Sequence, residues 1–148
     1  MKTAIIYYSH HHGNTKKLLD AIQEKYEVDL IDVKDVKDID LTIYDRIGLA
    51  SGIYYSNVAK QMIECVNTYL PEGKEVFYIS TSGAKPTPMF LNSIKKVVQE
   101  KHCIELGEYM CYGFDTFGPF KLIGGIKKGH PTEEEIKGAV TFYESLNK

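Results

Sequence analysis

Three short runs of small polar residues hold most of the chemistry this chain can offer. The first is Ser9-His10-His11-His12-Gly13-Asn14-Thr15. It joins an apolar run, Thr3–Tyr8, to a pattern of helical periodicity. Ser9 and Thr15 bring hydroxyls and Asn14 a side-chain amide. The helix start adds free backbone N–H groups and roughly half a positive charge from the helix dipole. Such an end suits a phosphate, and Gly13 would let the backbone approach it closely. The same residues equally serve an ordinary N-cap, with Asn14 or Ser9 capping a helix that holds no ligand. No Gly-Lys-Ser/Thr follows, so this is no Walker loop, and there is no Gly-x-Gly-x-x-Gly. A receiver-type phosphorylation site needs acidic residues at the end of the first strand, and Tyr8-Ser9 supplies none. Consecutive histidines in an extended loop point in different directions. With no Glu or Cys at ligand spacing, the expectation is no metal.

The second run, Ala50-Ser51-Gly52-Ile53-Tyr54-Tyr55-Ser56-Asn57, is uncharged and has two adjacent tyrosines. A flat heteroaromatic ring could stack on one of them, or one tyrosine packs in the core and the other lies on the surface. The third run, Thr81-Ser82-Gly83-Ala84, again offers hydroxyls and backbone N–H groups without charge.

What positions these runs is an alternation of strands and helices. Thr3–Tyr8, Val28–Val33, Arg46–Ala50, Val76–Ser80 and Cys103–Cys111 read as five strands. They are short and nearly continuously apolar, as in strands buried on both faces. Gly107 inside the fifth marks a bulge. Between them lie helical stripes: Leu18, Leu19, Ile22 and Tyr26; then Val58, Met62, Val66 and Tyr69; then Phe90, Leu91, Ile94, Val97 and Val98. Pro71-Glu72-Gly73 stops the second stripe. The last helix opens on Thr132 with Glu135 three residues on, a capping box, and buries Ile136, Ala139, Val140, Tyr143 and Leu146. Tyr112 to His130 reads as a long ordered loop, too apolar for disorder, that covers part of the site or of a sheet edge. The alternation implies a mainly parallel sheet with helices on both faces. Right-handed crossovers then gather the strand-to-helix loops at the carboxyl edge of the sheet, where ligands bind.

Length and composition narrow the classes further. The chain has 148 residues, 43% hydrophobic and 26% charged, which fits one globular domain and excludes disorder. Eighteen basic against twenty acidic residues leave a net charge of −2, which argues against nucleic acid as a partner. Arg46 is the sole arginine, so bidentate phosphate clamps are nearly excluded. Cys65, Cys103 and Cys111 are odd in number and widely spaced; they read as reduced, buried thiols of a cytoplasmic protein. No run approaches the ~20 apolar residues of a membrane span.

Taken in order, the three runs resemble the ligand loops of the flavodoxin family. Ser9 through Gly13-Asn14-Thr15 is similar to its FMN-phosphate loop, Ala50-Ser51-Gly52-Ile53-Tyr54 to the loop flanking the flavin ring, and Thr81-Ser82-Gly83 to the third. The resemblance covers essentially the whole chain and is closest to short, single-domain flavodoxin-like proteins of anaerobic bacteria. It implies a doubly wound, five-stranded parallel α/β sheet of order 2-1-3-4-5 with helices on both faces. It implies FMN as cofactor, with Ser9, His11, His12, Gly13, Asn14 and Thr15 at the phosphate. Ser51, Gly52, Ile53 and Tyr54 would flank the ring, with a Gly52 peptide able to turn its carbonyl toward the reduced ring. Thr81, Ser82 and Gly83 would bond the pyrimidine edge, and Phe117 would approach from the fifth loop. The implied role is electron transfer between redox partner proteins by a monomer or weak dimer without a catalytic acid or base. The alternative is an FMN-dependent NAD(P)H:quinone-type oxidoreductase.

The chain departs from the family pattern in three ways. Its first loop is one residue longer than usual, with His12 where a threonine is expected. It has no tryptophan, so stacking would fall to tyrosine. Its net charge is small, and Lys16, Lys17, Lys60, Lys85, Lys121, Lys127 and Lys128 gather at the expected site edge.

Overall fold

A computed structural model describes residues 1–9, 13–113 and 129–147. His11, His12 and Phe117, together with most of the long loop before the last helix, lie outside the described residues.

The elements run β1 (Thr3–Tyr8), α1 (Asn14–Lys25), β2 (Asp29–Asp32), β3 (Arg46–Tyr54), β4 (Asn57–Val58), α2 (Lys60–Tyr69), β5 (Glu75–Ser82), α3 (Asn92–Glu100), β6 (Ile104–Tyr112) and α4 (Glu133–Ser145). The sheet order is β2-β1-β3-β5-β6, and all four of those pairings are parallel. This is the expected 2-1-3-4-5 path. A sixth strand, the two-residue β4, is added antiparallel to β3.

Side chains alternate across the sheet and fill two cores. Ala4, Ile6, Ile47, Leu49, Val76 and Tyr78 pack toward Met62 and Val66 of α2 and Ile94 and Val98 of α3. Ile5, Ala50, Phe77 and Ile79 pack toward Leu18 and Ile22 of α1 and Ala139, Val140 and Tyr143 of α4. Covering on both faces is why the central strands read as unbroken apolar runs. Phe77 needs room, and Gly48 of the neighbouring strand gives it: a Cβ there would sit 2.4 Å from the Phe77 ring.

Several boundaries differ from the sequence reading for local reasons. The crossover from β2 to β3 has no α-helix. It is made of two 3-10 turns, Val33–Asp38 and Leu41–Ile43, opened by Asp32 and Asp40 whose carboxylates each accept a backbone N–H. Val58 belongs to β4 rather than to α2, and Tyr69 is 42% exposed; Cys65 takes the buried place. Phe90 and Leu91 lie in a 3-10 turn, Pro88–Leu91, ahead of α3. The α4 capping box forms as expected: Thr132 Oγ1 accepts the Glu135 N–H at 3.2 Å, and Glu135 Oε1 accepts the Thr132 N–H at 2.8 Å. The bulge at Gly107 is also present. Val76 pairs with Glu105 and Phe77 with Gly107, leaving Leu106 over, and Gly107 has φ +152°.

Arg46 is 4% exposed and works inside the fold. Its guanidinium donates to Glu75 Oε1 at 3.1 Å, Asn147 Oδ1 at 2.8 Å and the Leu146 carbonyl at 3.2 Å. It ties the start of β3 to the end of α4, at the sheet edge opposite the three polar runs. Cys65 and Cys111 are buried, and burial pushes their thiols up to about 11 and about 12. Cys103 is only half-buried, because it sits in the turn before β6. No described helix is long and apolar enough to cross a membrane.

Candidate functional site

The carboxyl ends of β1, β3 and β5 bring the three runs to one edge. Gly13 adopts the left-handed conformation, φ 62° and ψ 30°, and turns the chain into α1. As N-cap it has no side chain to offer. Ser9 takes over in part, its Oγ accepting the Lys16 N–H at 3.3 Å. No acidic residue stands in the first turn. Asn14 and Thr15 are buried, although both are polar.

The second run is a strand and a hairpin rather than a loop. β3 continues through Ser51-Gly52-Ile53-Tyr54, with Gly52 in register with Thr81 of β5. Its pairing with β4 closes a two-residue turn in which Tyr55 has φ 49° and Ser56 φ 64°. Positive φ at both central positions matches the right-handed twist of the flanking strands, and residues other than glycine adopt it under strain. Ser51 fastens the turn from below: its Oγ donates to the Gly52 carbonyl at 2.6 Å and accepts the Ala59 N–H at 3.1 Å. The two tyrosines part company here. Tyr54 folds back edge-on to Tyr8, with ring centroids 6.1 Å apart, while Tyr55 stands 76% exposed at the tip. Ile53 packs into the α2-side core, so its backbone and not its side chain faces the edge.

In the third run Thr81 and Ser82 are the last residues of β5, and both are buried. Thr81 Oγ1 lies 2.9 Å from Thr15 Oγ1, which joins the third run to the first. Ser82 Oγ donates to the Ala84 carbonyl at 2.7 Å and folds the chain at Gly83. The Ser82 carbonyl accepts the Gly113 N–H at 2.9 Å. Gly113 in turn lies against Asn14: a Cβ on it would sit 2.7 Å from Asn14 Nδ2. Asn14, Thr15, Thr81, Ser82 and Gly113 therefore form one knot of polar groups. Beneath it, Ser80 Oγ is buried and has no hydrogen-bond partner among the described residues.

Sequence reasoning passed over two members of this neighbourhood. Gly113 carries a signal, a glycine directly after the fifth strand, but its contact with Asn14 is tertiary. Glu135 was visible only as a capping residue. Its carboxylate also meets His130 Nδ1 at 2.5 Å and accepts the Tyr112 N–H at 3.2 Å, so it clasps both ends of the long loop. Burial pushes the Glu135 carboxyl up, but the Thr132 N–H, the His130 imidazole and the Tyr112 N–H outweigh it and hold it below the usual value. Tyr109, whose hydroxyl donates to the Glu135 carbonyl, is pushed up to about 12 by burial. Among the described residues no group of three His, Cys, Asp or Glu could hold a metal ion.

A family profile described as flavodoxin domain matches residues 5–106. The chain belongs to the flavodoxin family. This flavodoxin-family chain is 35% identical over 149 residues to an uncharacterized protein of Methanocaldococcus jannaschii, with 100% of this chain and 99% of the relative covered. Its fold is similar to the crystal structure of oxidised flavodoxin 2 from Bacillus cereus, with TM-score 0.69, 17% identity, and 99% and 98% of the two chains covered. It is also similar to a structure described as an NADPH-quinone reductase from P. pentosaceus, with TM-score 0.66, 14% identity, and 100% and 98% covered. The family and the doubly wound order inferred from the sequence are thus both found.

Proposed function

We propose that this protein binds FMN and carries electrons between redox partner proteins. The observation that carries the proposal is the polar knot at the head of α1. Uncharged donors from three separate strand ends are buried against one another beside a helix start that has no acidic residue and no side chain on its N-cap. That donor set fits the phosphate and pyrimidine edge of FMN. Ser9, Gly13, Asn14 and Thr15 would hold the phosphate; Thr81, Ser82 and Gly83 would hold the polar edge of the ring. The backbone of Ser51-Gly52-Ile53, with Tyr54 and the exposed Tyr55, would form the wall beside the ring. Phe117 is proposed on the far side, and His11 and His12 near the phosphate.

FMN supplies the one- and two-electron chemistry when bound; the chain supplies binding, orientation and exclusion of water. Ser51 has a second task. Its bond to the Gly52 carbonyl sets the orientation of that peptide, so any turn of the peptide must break a hydrogen bond already made. In this reading the protein is a single-domain cytoplasmic carrier, monomeric or weakly dimeric. A second reading, an FMN-dependent NAD(P)H:quinone-type oxidoreductase, is supported by the fold shared with the P. pentosaceus protein.

The test is a titration of purified, flavin-free protein into FMN, followed by fluorescence. Quenching that saturates at one FMN per chain is expected, and unquenched fluorescence would reject both readings. Steady-state NAD(P)H oxidation with a quinone acceptor separates the second reading from the first.

A further inference from the structure

We propose that the shelf formed by Tyr55, Lys60, Lys85 and Met89 is the docking face for a redox-partner protein that presents carboxylates. The proposal rests on the FMN reading, because that shelf adjoins the wall assigned to the flavin ring.

The charge is distributed very unevenly. Residues 8–19, 46–63 and 76–99, the segments that bear the three polar runs, contain no Asp or Glu, while β6, which also reaches this edge, carries Glu105 and Glu108. They carry Lys16 and Lys17 in the first turn of α1, Lys60 at the first position of α2, and Lys85 just after β5. Cations at helix starts oppose the helix dipole, so this arrangement gives nothing to the helices themselves. Carboxylates collect elsewhere: nine lie between Asp20 and Asp45, on the β2 flank. Three more, Glu133, Glu134 and Glu135, open α4 on the opposite face of the sheet.

Within the basic rim the residues differ. Lys16 is occupied, 2.6 Å from Asp20 and 5.7 Å over the Tyr7 ring. On the α2 side the lysines are open. The Lys60 side chain is 87% exposed, and its contact with Glu64, at 3.8 Å, is an exposed pair of little strength. Lys85 is exposed as well. The neighbouring turns, after β3 and after β5, also expose two large apolar side chains, Tyr55 at 76% and Met89 at 67%. Their segments are stitched together by the Asn57 Nδ2 to Ser93 Oγ bond of 3.2 Å. Exposed aromatic and thioether side chains on segments that carry lysines and no carboxylates have the make-up of an interface with a charged rim. Charge complementarity selects a carboxylate-bearing partner and speeds its encounter. The net charge of −2 alone would favour a cationic partner, so the sign of the salt dependence decides.

The experiment uses cytochrome b5 as an acidic protein probe and cytochrome c as a basic one. Each ferric haem takes one electron from the reduced, FMN-loaded protein. The rate with cytochrome b5 should fall at least tenfold between low salt and ~0.15 M, where the Debye length is about 8 Å. K60E/K85E should lower that rate at low salt by about tenfold, raise the rate with cytochrome c, and leave the FMN titration unchanged. A low-salt preference for cytochrome c would overturn the proposal, as would unchanged rates in K60E/K85E. So would a K60E/K85E variant that loses reduction by NADPH while keeping its cytochrome b5 rate, since the lysines would then serve a nucleotide. Calorimetric titration of the flavin-free protein with each cytochrome gives a readout independent of the flavin. If FMN fails to bind, the function reading falls, and the titration alone decides the docking: cytochrome b5 bound in preference supports it, cytochrome c or neither overturns it.

Discussion

Under the proposed FMN reading, the Thr15–Thr81 contact would link stability and binding in one pair of hydroxyls. The two Oγ1 atoms are 2.9 Å apart, and the residues are 1% and 4% exposed. Valine has nearly the shape of threonine but neither donates nor accepts. Thr15→Val alone leaves the Thr81 hydroxyl buried without its partner, and the reverse holds for Thr81→Val. Each single change should cost about 1–3 kcal/mol, the desolvation penalty of a stranded hydroxyl. The double variant strands nothing and should lie close to the wild type, so the two changes couple by the sum of the single costs, about 2–6 kcal/mol, in the stabilising direction. FMN tells a different story. If both hydroxyls face the ligand, the double variant recovers its stability and still loses affinity, by about tenfold or more for ~1.4 kcal/mol of lost bonding. The assays are urea unfolding of the flavin-free proteins and FMN fluorescence titration. Additive single effects in urea would refute the buried pairing. A double valine variant with undiminished FMN affinity would refute the placement of these hydroxyls in the site.

Gly113→Ala should weaken FMN binding more than it lowers stability, because its Cβ would displace the Asn14 amide, 2.7 Å away; an unchanged FMN titration would count against the role of that knot. Arg46→Met should destabilise the fold by about 2–3 kcal/mol through loss of its charged hydrogen bonds and leave FMN affinity alone, as read by urea midpoints and fluorescence. Glu135→Gln tests the clasp by pH. The wild-type carboxyl is held below its ordinary 4.5, so its contribution is full above that value and drains as pH falls through the lowered one. The stability gap between wild type and variant should therefore close in acid; a gap constant from neutral to acid pH would contradict it. Ser56→Gly should raise stability by about 0.5–1 kcal/mol, since φ 64° costs serine about 1–2 kcal/mol and glycine gives part of that back as chain entropy; thermal melting decides.

The fold could be read largely from local pattern. Runs such as Thr3–Tyr8 are buried on both sides and announce themselves, and Thr132 with Glu135 marks a helix start by chemistry confined to four residues. The second polar run misled because Ser51-Gly52-Ile53-Tyr54 has the composition of a loop. What makes it a strand is register with Thr81 and the turn back to Asn57, neither of which is local. For the same reason Tyr54 and Tyr55 were indistinguishable: only the direction of the turn sends one toward Tyr8 and the other into solvent. The polar residues at the edge could be picked out by type. Their knot, with Gly113 in it, and the clasp of Glu135 on Tyr112 and His130 depend on tertiary distances that no spacing along the chain encodes.

The bulge at Gly107 has a consequence for how the molecule behaves in company. An open sheet ends in two strands with ladder groups facing outward, and a long straight border invites copies to zip together. Here one border, β2, is four residues long and begins and ends on aspartate. The other, β6, runs nine residues but is kinked by the extra Leu106 and carries Glu105 and Glu108 along its length. Among the described residues neither margin presents a flat, neutral template, so crowding should favour separate molecules over fibres.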